Sequence, residues 1–302
     1  MGVRVLGSIN VDIILSVAAL PRPGETVLAS GSARLPGGKG ANQAVAAARM
    51  GAATAMIAAV GADEAGAWMR GWLAEAGIDV TAVTALTGHA TGAAYIAVDS
   101  AAENQIIVAP GANAHCTPDQ LDAPARADVL LAQLELPVAT IATAFARPGP
   151  LRILNAAPAV PAAAAMFGDV DVLIVNQHEL ACYLGVAAIE SPRQALAARG
   201  LLTRSDQVAI VTLGAGGALA VWPDRAFHAP AVPVTPVDTV GAGDCFCGVL
   251  AALLDEGLNI EAALPFANAA AALCTQSRGA APAMPTRQAV EAFLRNAPTE
   301  HA

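Results

Sequence analysis

Val237-Asp238-Thr239-Val240-Gly241-Ala242-Gly243-Asp244, running into the apolar segment Cys245 to Leu254, is the stretch that organises this chain. Hydrophobic residues recur in the segment at helical spacing, which predicts a helix whose first turn is Gly-Ala-Gly-Asp. Two glycines let the backbone turn tightly and leave its N–H groups uncovered. With the positive end of the helix dipole, those amides form an anion cradle. Asp244 stands where its carboxylate projects beside whatever anion sits there. A base next to a phosphate cradle suits phosphoryl transfer to a hydroxyl. The plainer reading is a Gly-rich turn with an acidic residue complementing the dipole.

The whole chain bounds what this stretch can mean. Its 302 residues are 55% hydrophobic and only 14% charged, a globular composition with ample material for a core. A mean hydropathy of +0.53 raises the question of a membrane span. The most suspicious stretch, Ala44 to Ala62, carries Arg49 and is split by Gly51 into a helix and a strand, so no span is expected. Asn10 and Asp12 interrupt the first apolar run too early for a cleavable signal, and Leu6 breaks the myristoylation pattern. A cytoplasmic protein is expected. The net charge of −9, with no basic patch, argues against nucleic acid as a partner. The five cysteines form no CxxC pair and no zinc spacing, and read mostly as small buried hydrophobes.

A pattern recurs along the chain: a short apolar run, a polar residue, then a turn or helix start. Val3 to Ile9 ends at Asn10, Val129 to Leu134 at Glu135, Leu151 to Leu154 at Asn155, Val170 to Val175 at Asn176, and Val208 to Val211 at Thr212. Continuous apolar strands alternating with Ala-rich helices predict a parallel sheet covered on both faces. Ligands bind such sheets beyond the carboxyl ends of the strands, so these polar residues point to one crevice. Two stretches depart from the rhythm. Thr26 to Leu35 and Thr91 to Val108 alternate like antiparallel strands and are read as one small sheet covering the crevice as a lid, from excursions at about 11–36 and 88–108. Its outer face would also suit a dimer contact, since a small sheet exposes edges.

Pro36 to Gln43, with Gly37, Gly38, Lys39 and Gly40, introduces a helix but lacks the spacing of a Walker A loop. Lys39 and Asn42 share a helix face and reach one small polar ligand, unless Lys39 is merely a solvated helix start. Asn10 and Asp12, two apart in an extended segment, face the same side and suit a vicinal diol. Asn176-x-x-Glu179 suits hydrated magnesium, or else is a helix cap with its capping glutamate. Thr212 to Gly217 offers amides and a hydroxyl to polyphosphate, or else turns a hairpin into Ala218 to Trp222.

Asn10-x-Asp12, Gly37 to Gln43, Asn155-Ala156-Ala157-Pro158, Asn176-x-x-Glu179, Thr212-Leu213-Gly214 and Asp238 to Asp244 together resemble the motifs of the ribokinase-like sugar kinases, the PfkB family. They fall in that family's order over essentially the whole chain. The resemblance implies one ribokinase-like α/β domain over 1–302: a three-layer αβα sandwich with a mostly parallel central sheet and a small β-sheet lid. It implies that ATP phosphorylates the 5-hydroxyl of D-ribose. The sugar would be held by Asn10, Asp12, Gly38, Lys39, Asn42 and Glu135, with Asp244 as base and the amides of Gly241, Ala242 and Gly243 as anion hole. ATP would lie along Asn176, Thr212, Gly214 and Gly217, with Asn268 near the base of the nucleotide. Glu179 would organise Mg2+, through water. An activating K+ would sit at Asp238, Val240, Thr275, Arg278 and Gly279, where Ala283 replaces a serine often found in the pattern. A homodimer through the lid is expected.

A carboxylate at a helix N-terminus is a weak base, which suffices when the nucleophile's proton leaves late in a loose transition state. Two rivals keep the fold: a kinase of another pentose or a nucleoside, and a non-catalytic sugar- or nucleotide-sensing protein. The intact Asp244 and glycine hole oppose the sensor. A nicotinamide-binding Rossmann enzyme is discounted, because no GxGxxG follows the first strand.

Overall fold

The structure, a computed structural model, describes residues 2–101, 103–118 and 128–296. Met1, Ala102, 119–127 and 297–302, part of the expected 1–302 span, lie outside the described residues. In chain order the strands are β1 (Val3–Leu6), β2 (Asn10–Ser16), β3 (Gly31–Gly37), β4 (Thr54–Gly61), β5 (Val83–Leu86), β6 (Gly92–Val98) and β7 (Asn104–Ala109). The second half adds β8 (Val129–Gln133), β9 (Leu151–Asn155), β10 (Val172–Asn176), β11 (Val208–Thr212), β12 (Ala218–Val221) and β13 (Ala226–Ala229). The helices are α1 (Lys39–Arg49), α2 (Glu64–Glu75), α3 (Val138–Phe145), α4 (Gln177–Leu184), α5 (Pro192–Ala195), α6 (Ala242–Asp255), α7 (Ile260–Cys274) and α8 (Arg287–Asn296).

Nine strands form one sheet in the order β13-β12-β11-β10-β9-β8-β1-β4-β5, parallel from β11 to β5, with β12 and β13 added antiparallel. Successive residues feed opposite cores, as the strand period requires. Val172 and Ile174 pack toward α1, α2, α6, α7 and α8. Leu173 and Val175 pack toward α3, α4 and α5. The three-layer α/β expectation therefore holds. Strand ends differ in detail. β9, β10 and β11 end on Asn155, Asn176 and Thr212 as expected, but β1 stops at Leu6 and β8 at Gln133. Asn10 and Glu135 lie past those ends, Asn10 as the first residue of the next strand.

The second sheet has the order β3-β2-β6-β7. β2 pairs with β3, and β6 with β7, antiparallel. The central pair β2–β6 is parallel, which alternation within each stretch could not reveal. Residues 26–30, expected as strand, are not. The strand beside β2 begins only at Gly31. β7 is exposed along its whole length, and with Tyr95 it leaves Ile106, Ile107 and Val108 open.

Two close approaches set the helix that faces the crevice. A Cβ on Gly40 would lie 2.5 Å from the backbone of Gly7, so paired glycines let α1 start against the end of β1. A Cβ on Gly248 would lie 2.2 Å from the carbonyl oxygen of Gln43, so that glycine lets α6 press onto α1. Beyond the Glu256 cap of α6 comes Gly257, whose φ of 87° suits a left-handed stop. The Gly257 and Leu258 amides return to the carbonyls of Leu254 and Leu253.

Candidate active site

Gly241 caps α6 with a φ of 80°, and a Cβ there would meet that of Ala280 at 2.7 Å. Only glycine fits this entry to the helix. The Ala242 amide leans on the Thr239 carbonyl at 3.3 Å. Among the described residues the amides of Gly241 and Gly243 have no protein partner. One turn in, Asp244 is 7% exposed and both its oxygens accept hydrogen bonds. Asn42 Nδ2 donates to Oδ2 at 2.9 Å, and Gln43 Nε2 to Oδ1 at 3.0 Å.

Around this carboxylate the structure assembles the residues singled out on the acceptor side. Asp12 is pushed up to about 7, first by burial and then by the negative charges of Glu135 and Asp244. Lys39 is held above its ordinary value chiefly by Asp244, against its own burial, with Glu135 and Glu179 adding to the effect. Four carboxylates, Asp12, Glu135, Glu179 and Asp244, and the Lys39 ammonium are thus coupled through their charges. Glu135 ties the group together: its Oε2 accepts from the Ser8 hydroxyl and from the Lys39 amide. Asn10 is buried, and its Oδ1 accepts from Asn113 Nδ2 at 2.8 Å. Asn113 also bonds both backbone groups of Ile9. Gly37 and Gly38 are required by proximity. Cβ atoms there would lie 2.2 Å from the Asp12 carboxylate and 2.7 Å from the Asn10 amide.

Asn176 and Glu179 form the full capping box at the start of α4, each side chain bonding the other's amide at 2.8 Å. Capping accounts for one oxygen of Glu179. The residue still lines a cavity of about 220 Å3 with Lys39, Asn155, Asn176, Gly241 and Asp244. Burial raises the Glu179 carboxyl, opposed by the Asn176 amide and the Lys39 charge. A larger cavity of about 580 Å3 adjoins it, with Thr212 and Gly243 lining both. Gly214, Gly217 and Asn268 lie on its wall beside Val232, Val234, Phe246, Ala271 and Ala272. Thr212 to Gly217 does turn the hairpin from β11 into β12, so the hairpin and the cavity wall are the same segment. Asn268 donates to the carbonyls of Ala229 and Pro230, fixing the exit from β13.

At the far edge, Asp238 accepts from the amides of Val240 at 3.0 Å and Gly279 at 2.9 Å. The Thr275 carbonyl already accepts from Val237 and Asp238, while its hydroxyl donates to Ala272. Arg278 is exposed, and Ala283 offers only a methyl group. Sequence reasoning assigned no role to Ser8, Gln43, Asn113 or Gln133, and to Asn155 only a place facing the crevice; together they supply buried hydrogen bonds behind it. Gln43 and Asn155 sat inside quoted motifs, but nothing local marked their partners.

A helix start with uncovered amides, a buried carboxylate, a polar pocket and an adjoining apolar cavity fit a small-molecule kinase. The pfkB family carbohydrate kinase model matches residues 2–287, and the chain belongs to that family. A ribokinase from Haemophilus influenzae is 35% identical over 300 residues, covering 97% of this chain and 98% of its own. A deoxyribokinase from Salmonella typhi is 32% identical, covering 97% of this chain and 99% of its own. Among solved structures, a ribokinase from Thermotoga maritima superposes with a TM-score of 0.90 at 35% identity, covering 98% of this chain and all of that one. The Arabidopsis thaliana ribokinase in complex with ribose and ATP gives 0.87 at 30%, covering 97% and 98%.

Proposed function

We propose that this protein transfers the γ-phosphoryl group of ATP to the 5-hydroxyl of D-ribose, giving ribose 5-phosphate and ADP. The observation that carries the reading is the place of Asp244, at the helix start where a polar pocket and an apolar cavity meet. Asn10, Asp12, Gly38, Lys39, Asn42 and Glu135 hold the sugar. Asp12 accepts from two adjacent hydroxyls, which favours ribose over an acceptor lacking one of them. Asp244 accepts the proton of the attacking hydroxyl. The amides of Gly241, Ala242 and Gly243 stabilise charge on the transferred oxygens. The nucleotide lies along Asn176, Thr212, Gly214 and Gly217, with adenine against Val232, Phe246 and Asn268. Resemblance to ribokinases, one bound to ribose and ATP, supports both substrates.

Glu179 fits a magnesium site: it is a buried carboxylate in the smaller cavity with one oxygen left over from capping, and Mg2+ needs few protein ligands beside phosphate. When bound, Mg2+ supplies charge neutralisation on the phosphates. Asp238, the Val240 carbonyl and the turn at Arg278 and Gly279 offer oxygen donors for a potassium ion. Thr275 joins them only through its hydroxyl, since its carbonyl is engaged. The small sheet acts as a lid over the acceptor. Its open face at Tyr95 and Ile107, directly opposite each other on neighbouring strands, supports a homodimer. Among the described residues no helix is long and apolar enough to cross a membrane, which is consistent with a cytoplasmic enzyme.

One assay tests the reading: ADP release from ATP and magnesium with D-ribose, 2-deoxyribose, fructose 6-phosphate or adenosine, in potassium or sodium. Turnover on ribose is expected to exceed that on 2-deoxyribose by about tenfold or more, the worth of one hydrogen bond to a charged group. The likeness to a deoxyribokinase makes 2-deoxyribose the rival acceptor, and its preference would move the specificity without touching the chemistry. Sugar binding without turnover on any acceptor would leave the sensor.

A further inference from the structure

Two carboxamides reach Asp244, and they are held differently. Gln43, fully buried, donates through Nε2 to Asp244 Oδ1 and to Asn155 Oδ1, each at 3.0 Å. Its Oε1 accepts from Gln133 Nε2 at 2.6 Å. Both Nε2 hydrogens are therefore used, and turning the amide over would face Oε1 to a carboxylate that only accepts. The chain of amides is anchored in the large sheet, Gln133 on β8 and Asn155 on β9. Asn42 has no such support. Its Nδ2 donates to Asp244 Oδ2, but its Oδ1 is buried without a protein partner among the described residues.

We propose that Gln43 is a positioning residue that keeps Oδ1 of Asp244 a permanent acceptor, so that Oδ2 is the atom that takes the proton from the acceptor hydroxyl. This rests on Asp244 being the base, as proposed above. A carboxylate that gains a proton must turn one oxygen from acceptor into donor. Oδ1 cannot do so, because it faces an N–H that is fixed from behind. Oδ2 faces Asn42, whose terminal torsion is soft and whose open Oδ1 can turn to meet an O–H. As the hydroxyl O–H bond breaks, its oxygen bonds the γ-phosphorus. The bond from that phosphorus to the bridging oxygen breaks, and its electron pair leaves on ADP. The proton settles on Oδ2 with Asn42 able to accept from it.

The packing explains how a residue of α1 arrives there. Gly248 lies one turn beyond Asp244 on α6, and its missing side chain is what lets Gln43 come close.

The test is the kinetics of ribose phosphorylation in Gln43→Met, which keeps the bulk and removes the donor. The value of kcat is expected to fall about 10–100-fold with ribose KM within about threefold, because the lost N–H orients the base and does not touch the sugar. Gln133→Met, which leaves Asp244 untouched, should lower kcat in the same way but less. The ADP-induced rise in Tm reports that each variant is folded. A folded Gln43→Met with kcat unchanged, or with ribose KM raised as much as kcat falls, overturns the inference. If that variant does not fold, an unchanged kcat in Gln133→Met overturns it instead. A wild-type protein that phosphorylates no sugar sinks the kinase reading itself, a failure distinct from a kinase whose Gln43 variant keeps its kcat.

Discussion

On the side proposed for the acceptor, Asp244 is surrounded by the charged and amide side chains of Asp12, Lys39, Asn42 and Glu135, whereas on the side proposed for the nucleotide the walls are glycine backbone and small apolar groups such as Val232 and Ala272. The two sides should fail differently. A site built of buried polar groups rejects a wrong ligand by leaving those groups unpaired, at a larger cost than a missing methyl group imposes on an apolar wall. Apolar contact with a base remote from the reacting atoms is the same before and at the transition state, so it sets affinity and not the chemical step. Damage on the first side belongs in kcat or in acceptor choice, and damage on the second in KM for ATP.

Asp244→Asn is the hardest test of that division. On the proposed assignment kcat falls by about 10²–10⁴-fold, as loss of a general base costs, while ribose and ATP affinities change little. Isothermal titration with ribose beside a coupled ADP assay reads both. A variant with near-full kcat would remove Asp244 from the chemistry. Gly248→Ala attacks the same side from behind. Its new Cβ would overlap the Gln43 carbonyl, so α1 and α6 must part. Overpacking of this kind costs about 1–3 kcal/mol, and kcat should fall with it because Gln43 and Asn42 are both carried on α1. Thermal unfolding with the kinetic assay checks the pair; lost stability with unchanged kcat would show that the helix contact does not position the base.

Asp12 sharpens the comparison through pH. Its folded value near 7 stands above that of the unfolded chain, so between about pH 4 and 7 the folded form binds the extra proton. Stability therefore falls as pH rises through that window, and the full cost is carried above pH 7. Asp12→Asn should then be the more stable protein at pH 8, by about 2 kcal/mol, and should lose that advantage by about pH 4. The same variant should bind ribose about 10–100-fold more weakly at pH 8, since a neutral amide accepts less well than a carboxylate. Melting curves and ribose titrations at both pH values decide it. Equal melting temperatures at pH 8 would mean that burial and the neighbouring charges do not destabilise the Asp12 carboxylate.

The asymmetry also explains which parts of the molecule are legible in the amino-acid sequence. The large sheet is legible because strands buried on both faces leave continuous apolar runs, and Asn155, Asn176 and Thr212 end theirs as expected. The residues proposed to hold the acceptor stand out in the sequence because Asp, Asn and Lys beside paired glycines carry chemistry in their types. The small sheet is only half legible: β2 follows β1 after three residues, and its parallel pairing with β6 joins segments 82 positions apart in register, Asn10 to Gly92. Gln43 stands in plain view, yet its task depends on Gly248 and Gln133, which no local pattern connects to it. Glu179 cannot be resolved by sequence, and the structure shows why, since the capping box and the cavity wall use the same side chain. The nucleotide wall is almost invisible, because Val232, Ala271 and Ala272 have nothing in their chemistry to distinguish them from core.

That silent wall gives the smallest expected effect. Val232 is half-buried and lines the larger cavity. Val232→Ala removes two methyl groups from the surface proposed to meet adenine, worth about 0.8 kcal/mol for each carbon fully buried and less here. KM for ATP should rise by about threefold with kcat unchanged, because the contact is shared by ground and transition states. ADP, which presents the same base, should lose affinity by the same factor in a titration. Ribose KM, governed on the other side of Asp244, should not move. A fall in kcat from this substitution would show that the apolar wall aligns the phosphates, and the two sides would then be one device.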